Sequence, residues 1–215
     1  MSDFGTLKAQ IASDMERTLA DDAMNDETWD DVIGRFLNDS IRLLKSRPWW
    51  FLQGPTTGSY TSVTTLGNSY VSEYTGLIDL YSLRITIAGQ LQELPEVSFT
   101  RMEANYDGNS TNGQPIEYTR FAGRVRLWPP PNDAYTLTWS GTFDQSTLTL
   151  DADTNDWCVE GSVVLKAQTK VKLYRDYIKD LEAASAAVVE LNEGVRALDT
   201  EHMRRTGNNR IQPGC

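Results

Sequence analysis

Leu7, Ile11, Met15 and Leu19 recur every fourth residue, a narrow apolar stripe that predicts a first helix with Asp3 and Thr6 near its start. A second, broader stripe follows. Trp29, Val32, Ile33, Phe36, Leu37, Ile41 and Leu44 fit the i, i+3, i+4, i+7 template from a Thr28 cap, with Asp30 and Asp31 in the positive first turn and Pro48 marking the end. Beyond Trp49-Trp50-Phe51 the texture changes to Gly, Thr, Ser and Tyr. Turn signals at Gly54-Pro55 and Gly58 precede period-two runs over Tyr60 to Thr65, Tyr70 to Tyr74 and Leu77 to Ala88, the last ending at Gly89-Gln90.

A short helix is expected over Val97 to Tyr106 and a polar surface loop from Asp107 to Gln114. Ile116 to Phe121 and Arg124 to Trp128 flank Ala122-Gly123, a hairpin signal. Pro129-Pro130-Pro131 reads as a strand exit, and alternation resumes from Tyr135 to Phe143. Roughly six or seven short strands with turns at these spacings predict a small antiparallel sandwich or barrel. Helix returns at Asp153-Thr154-Asn155-Asp156, and Trp157, Val164, Ala167, Val171, Tyr174, Ile178 and Leu181 form a bundle seam. Ala183 to Ala187 permits close helix approach or a bend, after which Val188, Leu191, Val195 and Leu198 carry a fourth stripe.

The pattern predicts an α+β fold. Residues 1–52 and 153–203 form a discontinuous helical bundle, residues 53–152 an inserted β domain, and residues 204–215 an extended C-terminal arm. Helical ends that bracket a β middle are expected to pack on one another, with the middle as an insertion.

Charge sharpens this picture. The chain of 215 residues carries a net charge of -10, unevenly spread. Residues 1–40 hold ten acids and three bases, whereas residues 161–215 hold nine bases and seven acids. Avid binding along a duplex needs a phosphate-neutralising basic face, so a free-standing DNA-binding role is disfavoured. Asp21, Asp22, Asp26 and Asp30 belong to an acidic cluster between the first two helices, which reads as a solvated turn in preference to a metal site.

Candidate chemistry is sparse. Two cysteines, Cys158 and Cys215, show no zinc spacing, and Asp151-x-Asp153-x-Asn155 opens like a calcium loop but lacks its glycine and its closing glutamate. It reads as a capped helix start, so neither a metal nor a cofactor is expected. His202 is the only histidine and stands among Met203, Arg204 and Arg205, a poor setting for an oriented base. No enzyme motif occurs, and the chain reads as a non-enzyme. Nothing in the sequence resembles a signal peptide or a membrane span, which points to synthesis in a cytoplasm. Trp49, Trp50 and Phe51 sit where helix gives way to strand and read as a plug at the domain junction; a sugar-binding platform is the alternative. Arg204, Arg205, Arg210 and Ile211 would give a flexible arm charged contacts and one apolar anchor on a partner, while plain disorder fits the composition as well.

Several segments, taken in order, resemble the adaptor, or head-to-tail connector, proteins of tailed bacteriophages, particularly the tail tubular, gatekeeper type of short-tailed phages. They are the second helix running into Pro48-Trp49-Trp50-Phe51, the Leu77 to Gln90 strand, Gly113-Gln114-Pro115-Ile116-Glu117-Tyr118, the run from Val125 through Trp128-Pro129-Pro130-Pro131 to Leu137, and Asn155-Asp156-Trp157. The likeness covers most of residues 25–205; it departs at Thr75-Gly76-Leu77, where a Leu-Pro is missing before the long strand.

The resemblance implies a structural virion protein at the head-tail neck, assembled in the host cytoplasm, whose partners are the portal protein and a tail nozzle or other tail protein. It implies a homo-oligomeric ring of about twelve copies, closed by repeated head-to-tail contacts. Such a ring extends the DNA channel and touches the passing genomic DNA transiently and without sequence preference, and no membrane is involved. The C-terminal arm, Arg204 to Ile211, would clasp the portal or a neighbouring subunit, and Asp21, Asp22, Asp26 and Asp30 would face the channel and repel the DNA backbone. The alternative is a glycan-binding module associated with a tail fibre.

Overall fold

The computed structural model describes residues 2–21, 27–53, 60–105 and 111–206. The turn signals at Gly54-Pro55 and Gly58, Asp22, Asp26, Tyr106 with the first part of the polar loop, and Arg210, Ile211 and Cys215 lie outside them. The fold is α+β with helices at both ends, and the chain divides into two compact units, Met1–Leu52 with Gln145–Cys215, and Gln53–Asp144.

In the first unit, α1 (Phe4–Asp14) starts where the Asp3 carboxylate accepts from the Thr6 amide at 2.7 Å. Its free first-turn amides donate to the returning chain, Phe4 to the Asp153 carbonyl and Gly5 to the Asp151 carbonyl. Gly5 is needed there, because a Cβ would sit 2.9 Å from that of Asp151. The apolar stripe extends to Leu19, but the helix does not. Glu16 adopts φ 55°, and the Arg17 amide reaches back to the Ala12 carbonyl and that of Glu16 to Ser13, a Schellman closure with glutamate in the usual glycine position.

α2 (Trp29–Leu44) opens on a capping box between Thr28 and Asp31 and buries Trp29, Val32, Ile33, Leu37 and Ile41. Asn38 on this helix uses both ends of its amide on the Leu148 backbone, accepting from its amide at 3.0 Å and donating to its carbonyl at 2.9 Å. One side chain thereby holds a segment 110 residues away. A 3-10 turn, Trp50–Leu52, ends this part of the unit.

The expected continuous seam from Trp157 to Leu181 is broken into pieces. α4 (Asp156–Val159) is capped by Asn155; α5 (Ser162–Lys172) follows Gly161 and leads into a π-helical turn, Leu173–Ile178. A Cβ on Gly161 would lie 2.5 Å from the Trp157 ring, so tight packing dictates that break. Lys179 at φ 65° then reverses the chain, and Asp180 caps the 26-residue α6 (Leu181–Thr206). The bend therefore falls at Lys179, outside the alanine run, whose Ala184 and Ala187 are buried inside α6 together with Gly194 and Leu198. Gly194 allows the close approach, since its Cβ would meet Val164 at 3.2 Å. α6 also runs three residues into the segment expected to be extended, through Thr206.

Among its described residues the second unit holds seven strands in two antiparallel sheets. β1 (Tyr60–Val63), β7 (Thr136–Phe143), β3 (Leu77–Ile87) and β4 (Gln90–Leu94) form one in that spatial order, and β2 (Tyr70–Ser72), β6 (Arg124–Trp128) and β5 (Glu117–Phe121) the other. Their facing sides share one core of Leu80, Leu83, Ile85, Leu94, Tyr118, Val125, Leu127, Leu137, Trp139 and Phe143, a sandwich. Both hairpins turn on Ala-Gly with two positive φ values, Ala122 and Gly123 at 52° and 71°, Ala88 and Gly89 at 49° and 78°. The second of these makes β4, which the sequence reading ends before. α3 (Phe99–Asn105) packs beside β5, and a bridge from Glu96 to Tyr118 runs along the same strand. Two register shifts bend β3 against β7, and Gly141 sits at one of them, where a Cβ would fall 2.0 Å from the Asp79 carbonyl oxygen.

Candidate functional site

The sequence-selected residues of the first unit gather at two places. One is the C-terminal end of α6. Trp49 and Phe51 are buried, their rings stacked at 6.5 Å, and Phe51 meets Trp157 edge-on at 4.9 Å. Trp50 meets Phe51 edge-on at 5.0 Å. His202 of α6 lies between the two tryptophans, 6.1 Å from Trp49 and 6.2 Å from Trp50. Among the described residues, neither His202 Nδ1 nor Trp157 Nε1 has a hydrogen-bond partner, so ring packing dominates here. Two guanidiniums cover the cluster, Arg205 4.8 Å over Trp50 and Arg47 5.7 Å over Trp49.

The ring faces that a sugar platform would present are therefore taken up inside the helical unit. These aromatics end the first chain segment of that unit, so they sit at the chain's exit toward the β unit in sequence. His202, Arg205 and Trp157 belong to the same cluster but lie more than a hundred residues away, and no sequence spacing links them to Trp49.

Arg204 and Arg205 lie on the last turn of α6, and both reach Glu201, whose carboxyl hydrogen bonds from Arg204 and then Arg205 hold down at about 2. Arg205 also pairs with Glu160 at 3.5 Å, tying the end of α6 to the residue after α4. Both bases are thus already engaged within the unit. Arg210 and Ile211, the remainder of the predicted binding arm, lie outside the described residues.

The second place is the approach to α2. Asp21 is exposed, its amide bonded to the Thr18 carbonyl and its own carbonyl accepting from the Trp29 amide at 3.2 Å. Asp30 serves a different purpose. The Lys8 ammonium, only 5% exposed, bridges Asp30 at 2.7 Å and Asp151 at 2.6 Å, joining α1, α2 and the returning chain. Burial pulls the Lys8 ammonium toward deprotonation, but hydrogen bonds to Asp151 and Asp30 more than offset this and leave its pKa raised. Lys170 repeats the arrangement, with Asp14 of α1 at 3.2 Å and Glu190 of α6 at 2.6 Å. Of the four acids singled out, Asp21 and Asp30 are described, one solvated and one clamped.

The calcium-like segment is used for folding. The Asp153 carboxylate accepts from the Thr149 and Leu150 amides at 2.7 and 2.8 Å, which lowers its pKa through those backbone bonds; Asn155 caps α4; Asp151 pairs with Lys8. Among the described residues, no group of three or more His, Cys, Asp or Glu is placed to hold a metal, and no helix is long and apolar enough to cross a membrane. Cys158 is buried, and burial pushes its thiol up, which keeps it protonated.

A family model described as SU10 adaptor protein matches residues 2–212, both units and nearly the whole chain. No curated protein matches the chain.

Proposed function

Because this chain belongs to the SU10 adaptor protein family and is therefore a phage structural adaptor, we propose that it forms the ring joining the portal vertex to the tail, in the manner of the tail tubular, gatekeeper type. The observation that carries this reading is the span of the match, residues 2–212, which takes in helices and sheets alike. In this role the protein assembles in the host cytoplasm, binds the portal on one side, docks the tail nozzle or another tail protein on the other, and extends the DNA channel. Cyclic closure requires that each copy offer two different surfaces to its neighbours, about a dozen times around.

Charge supports passage of the genome. A net charge of -10 disfavours adhesion to phosphate, so DNA slides past with transient, non-specific contact. Asp21, exposed, serves this purpose; Asp30 is largely compensated by Lys8. Since Arg204 and Arg205 are held by Glu201, clasping of the portal or a neighbour falls mainly to the chain beyond Thr206, with Arg210 and Ile211. The aromatic plug anchors the C-terminal helix from which that arm departs. No observation favours the glycan-binding alternative; of the exposed aromatics in the β unit that it would use, Phe121 is stacked on Phe99 at 4.4 Å.

The test is the native mass of the full chain mixed with the portal ring of its own particle. One adaptor copy per portal subunit is expected. A self-formed trimer with no portal complex would overturn the assignment. Deletion of residues 207–215, which leaves α6 and the Arg205–Glu160 pair in place, is expected to weaken portal attachment; unchanged incorporation into particles would remove the arm from the account.

A further inference from the structure

We propose that neighbouring copies of this chain join by lateral strand addition, the free edge of β4 on one copy pairing antiparallel with the free edge of β1 on the next. This rests on the ring reading and names the contact that would close the ring.

The first observation is strand polarity. In the order β1-β7-β3-β4 every neighbouring pair is antiparallel, so with four strands the two edge strands run in opposite directions. A copy moved sideways without inversion therefore brings its β1 alongside β4 in antiparallel sense, the orientation a ring of identically oriented subunits needs. The three-stranded sheet lacks this property. Its edges, β2 and β5, run in the same direction, and α3 and the Glu96–Tyr118 bridge lie along β5.

The second observation is what the two edges carry. Natural edge strands are commonly blunted by lysine, proline, bulges or covering elements. β4, Gln90-Leu91-Gln92-Glu93-Leu94, contains neither lysine nor proline, pairs with β3 without a register shift, and has four of its five residues exposed. β1, Tyr60-Thr61-Ser62-Val63, contains no charge at all. Among the described residues neither has a second strand beside it.

The third is register. Leu91 lies opposite Thr86, Thr86 opposite Thr136, and Thr136 opposite Val63, one straight cross-strand row. The two ends of that row are large apolar side chains, Leu91 57% and Val63 64% exposed. Lateral addition in register continues the row and places Leu91 of one copy beside Val63 of the next, removing both from water. The adjacent row brings Glu93 beside Thr61, so no like charges meet.

The experiment uses full-length chain carrying Val63→Cys, Leu91→Cys or both, with Cys215→Ser throughout and Cys158 left buried, assembled on the portal ring and treated with a short bis-maleimide. The expected result is a covalent ladder extending to the full ring for the double variant and no cross-link for either single variant. Dimers from Leu91→Cys alone would mean a twofold β4-to-β4 contact and overturn the proposal. A portal-bound ring without cross-links would overturn the contact while leaving the ring reading intact; no wild-type ring on the portal would remove both.

A second set needs no cysteine. Leu91→Lys with Val63→Lys is expected to reduce ring formation at least tenfold with an unchanged circular dichroism spectrum, and Leu91→Lys with Val63→Glu to restore it. Ring formation unaffected by the double lysine variant would contradict the proposal.

Discussion

The helical unit and the β unit keep their polar groups in different places. In the helical unit, Lys8, Lys170 and Asn38 each tie together parts of the chain that are far apart in sequence, and each is satisfied on the spot. The β unit has its own internal pairs, such as Arg120 with Glu73 at 2.9 Å and Trp139 Nε1 with Ser62 at 2.7 Å. Yet its larger sheet leaves two strand edges unpaired among the described residues, with Leu91 and Val63 in water beside them. A unit closed by cross-chain ties suits a fixed anchor, and a unit with open edges suits repeated contact.

The strongest way to break this comparison is to empty each core in turn. Trp157 and Trp139 are both fully buried, one per unit. Trp157→Ala and Trp139→Ala are each expected to cost about 3–5 kcal/mol. Urea unfolding monitored by hydrogen exchange, read separately on peptides of the helical unit and of the β unit, checks this. If the units are separately stabilised, Trp157→Ala moves the helical transition and Trp139→Ala the β transition. Equal movement of both signals in both variants would show one cooperative structure.

Gly141→Ala drives a Cβ into the Asp79 carbonyl, and about 1–3 kcal/mol of destabilisation is expected from the forced backbone shift. Gly123→Ala provides the control for positive φ, because nothing lies near its Cβ. A milder cost at Gly141 than at Gly123, measured by urea midpoint, would mean that the bulge in β3 yields easily.

Lys8→Met separates the clamp from the packing of its stem. The ammonium is buried but Asp30 and Asp151 are 40% and 73% exposed, so solvent screens much of the attraction, and about 1–2 kcal/mol is expected. The loss should shrink little in high salt, since the lysine end is dry; a loss that vanishes in 1 M salt would make the clamp an ordinary surface pair.

The smallest effect is the pH dependence at the end of α6. Glu201 titrates ordinarily near 4.5 and is held at about 2 in the folded chain by Arg204 and Arg205. A depressed carboxylate contributes stability that is complete above 4.5 and disappears as pH falls through about 2. Glu201→Gln should flatten the acid limb of the stability profile in that window by lowering stability slightly above 4.5, where the pair is complete, and leaving it unchanged below about 2. An identical acid limb would show that the pair is not formed in solution.

Legibility followed how local each determinant is. α2 could be read because the Thr28 cap, the acidic first turn and seven apolar positions all lie within seventeen residues, 28–44. The apolar stripe predicts an α1 longer than the one formed because Leu19 continues it, and nothing in periodicity reports that Glu16 takes a left-handed conformation. The seam from Trp157 to Leu181 hides three interruptions, since the break at Gly161, a π-helical turn and a single left-handed lysine alter the backbone without disturbing which residues are apolar. β4 leaves no apolar alternation in the sequence because an edge strand need bury nothing, and four of its five residues are exposed. At the site, Trp49, Trp50 and Phe51 stood out by composition. The signal for Lys8 was present but faint, a lysine on the buried face with Phe4, Leu7, Ile11 and Ala12, where a charge must have partners. Its partners are fixed only in three dimensions.

The most direct measurement of the central claim is the position and copy number of this chain in the intact particle, by cryo-electron microscopy of the neck without imposed symmetry. The account predicts a closed ring between portal and tail, with one helical unit and one β unit per copy and DNA along its axis. Density for the chain at the fibre periphery, or in an open or trimeric arrangement away from the portal, would contradict it.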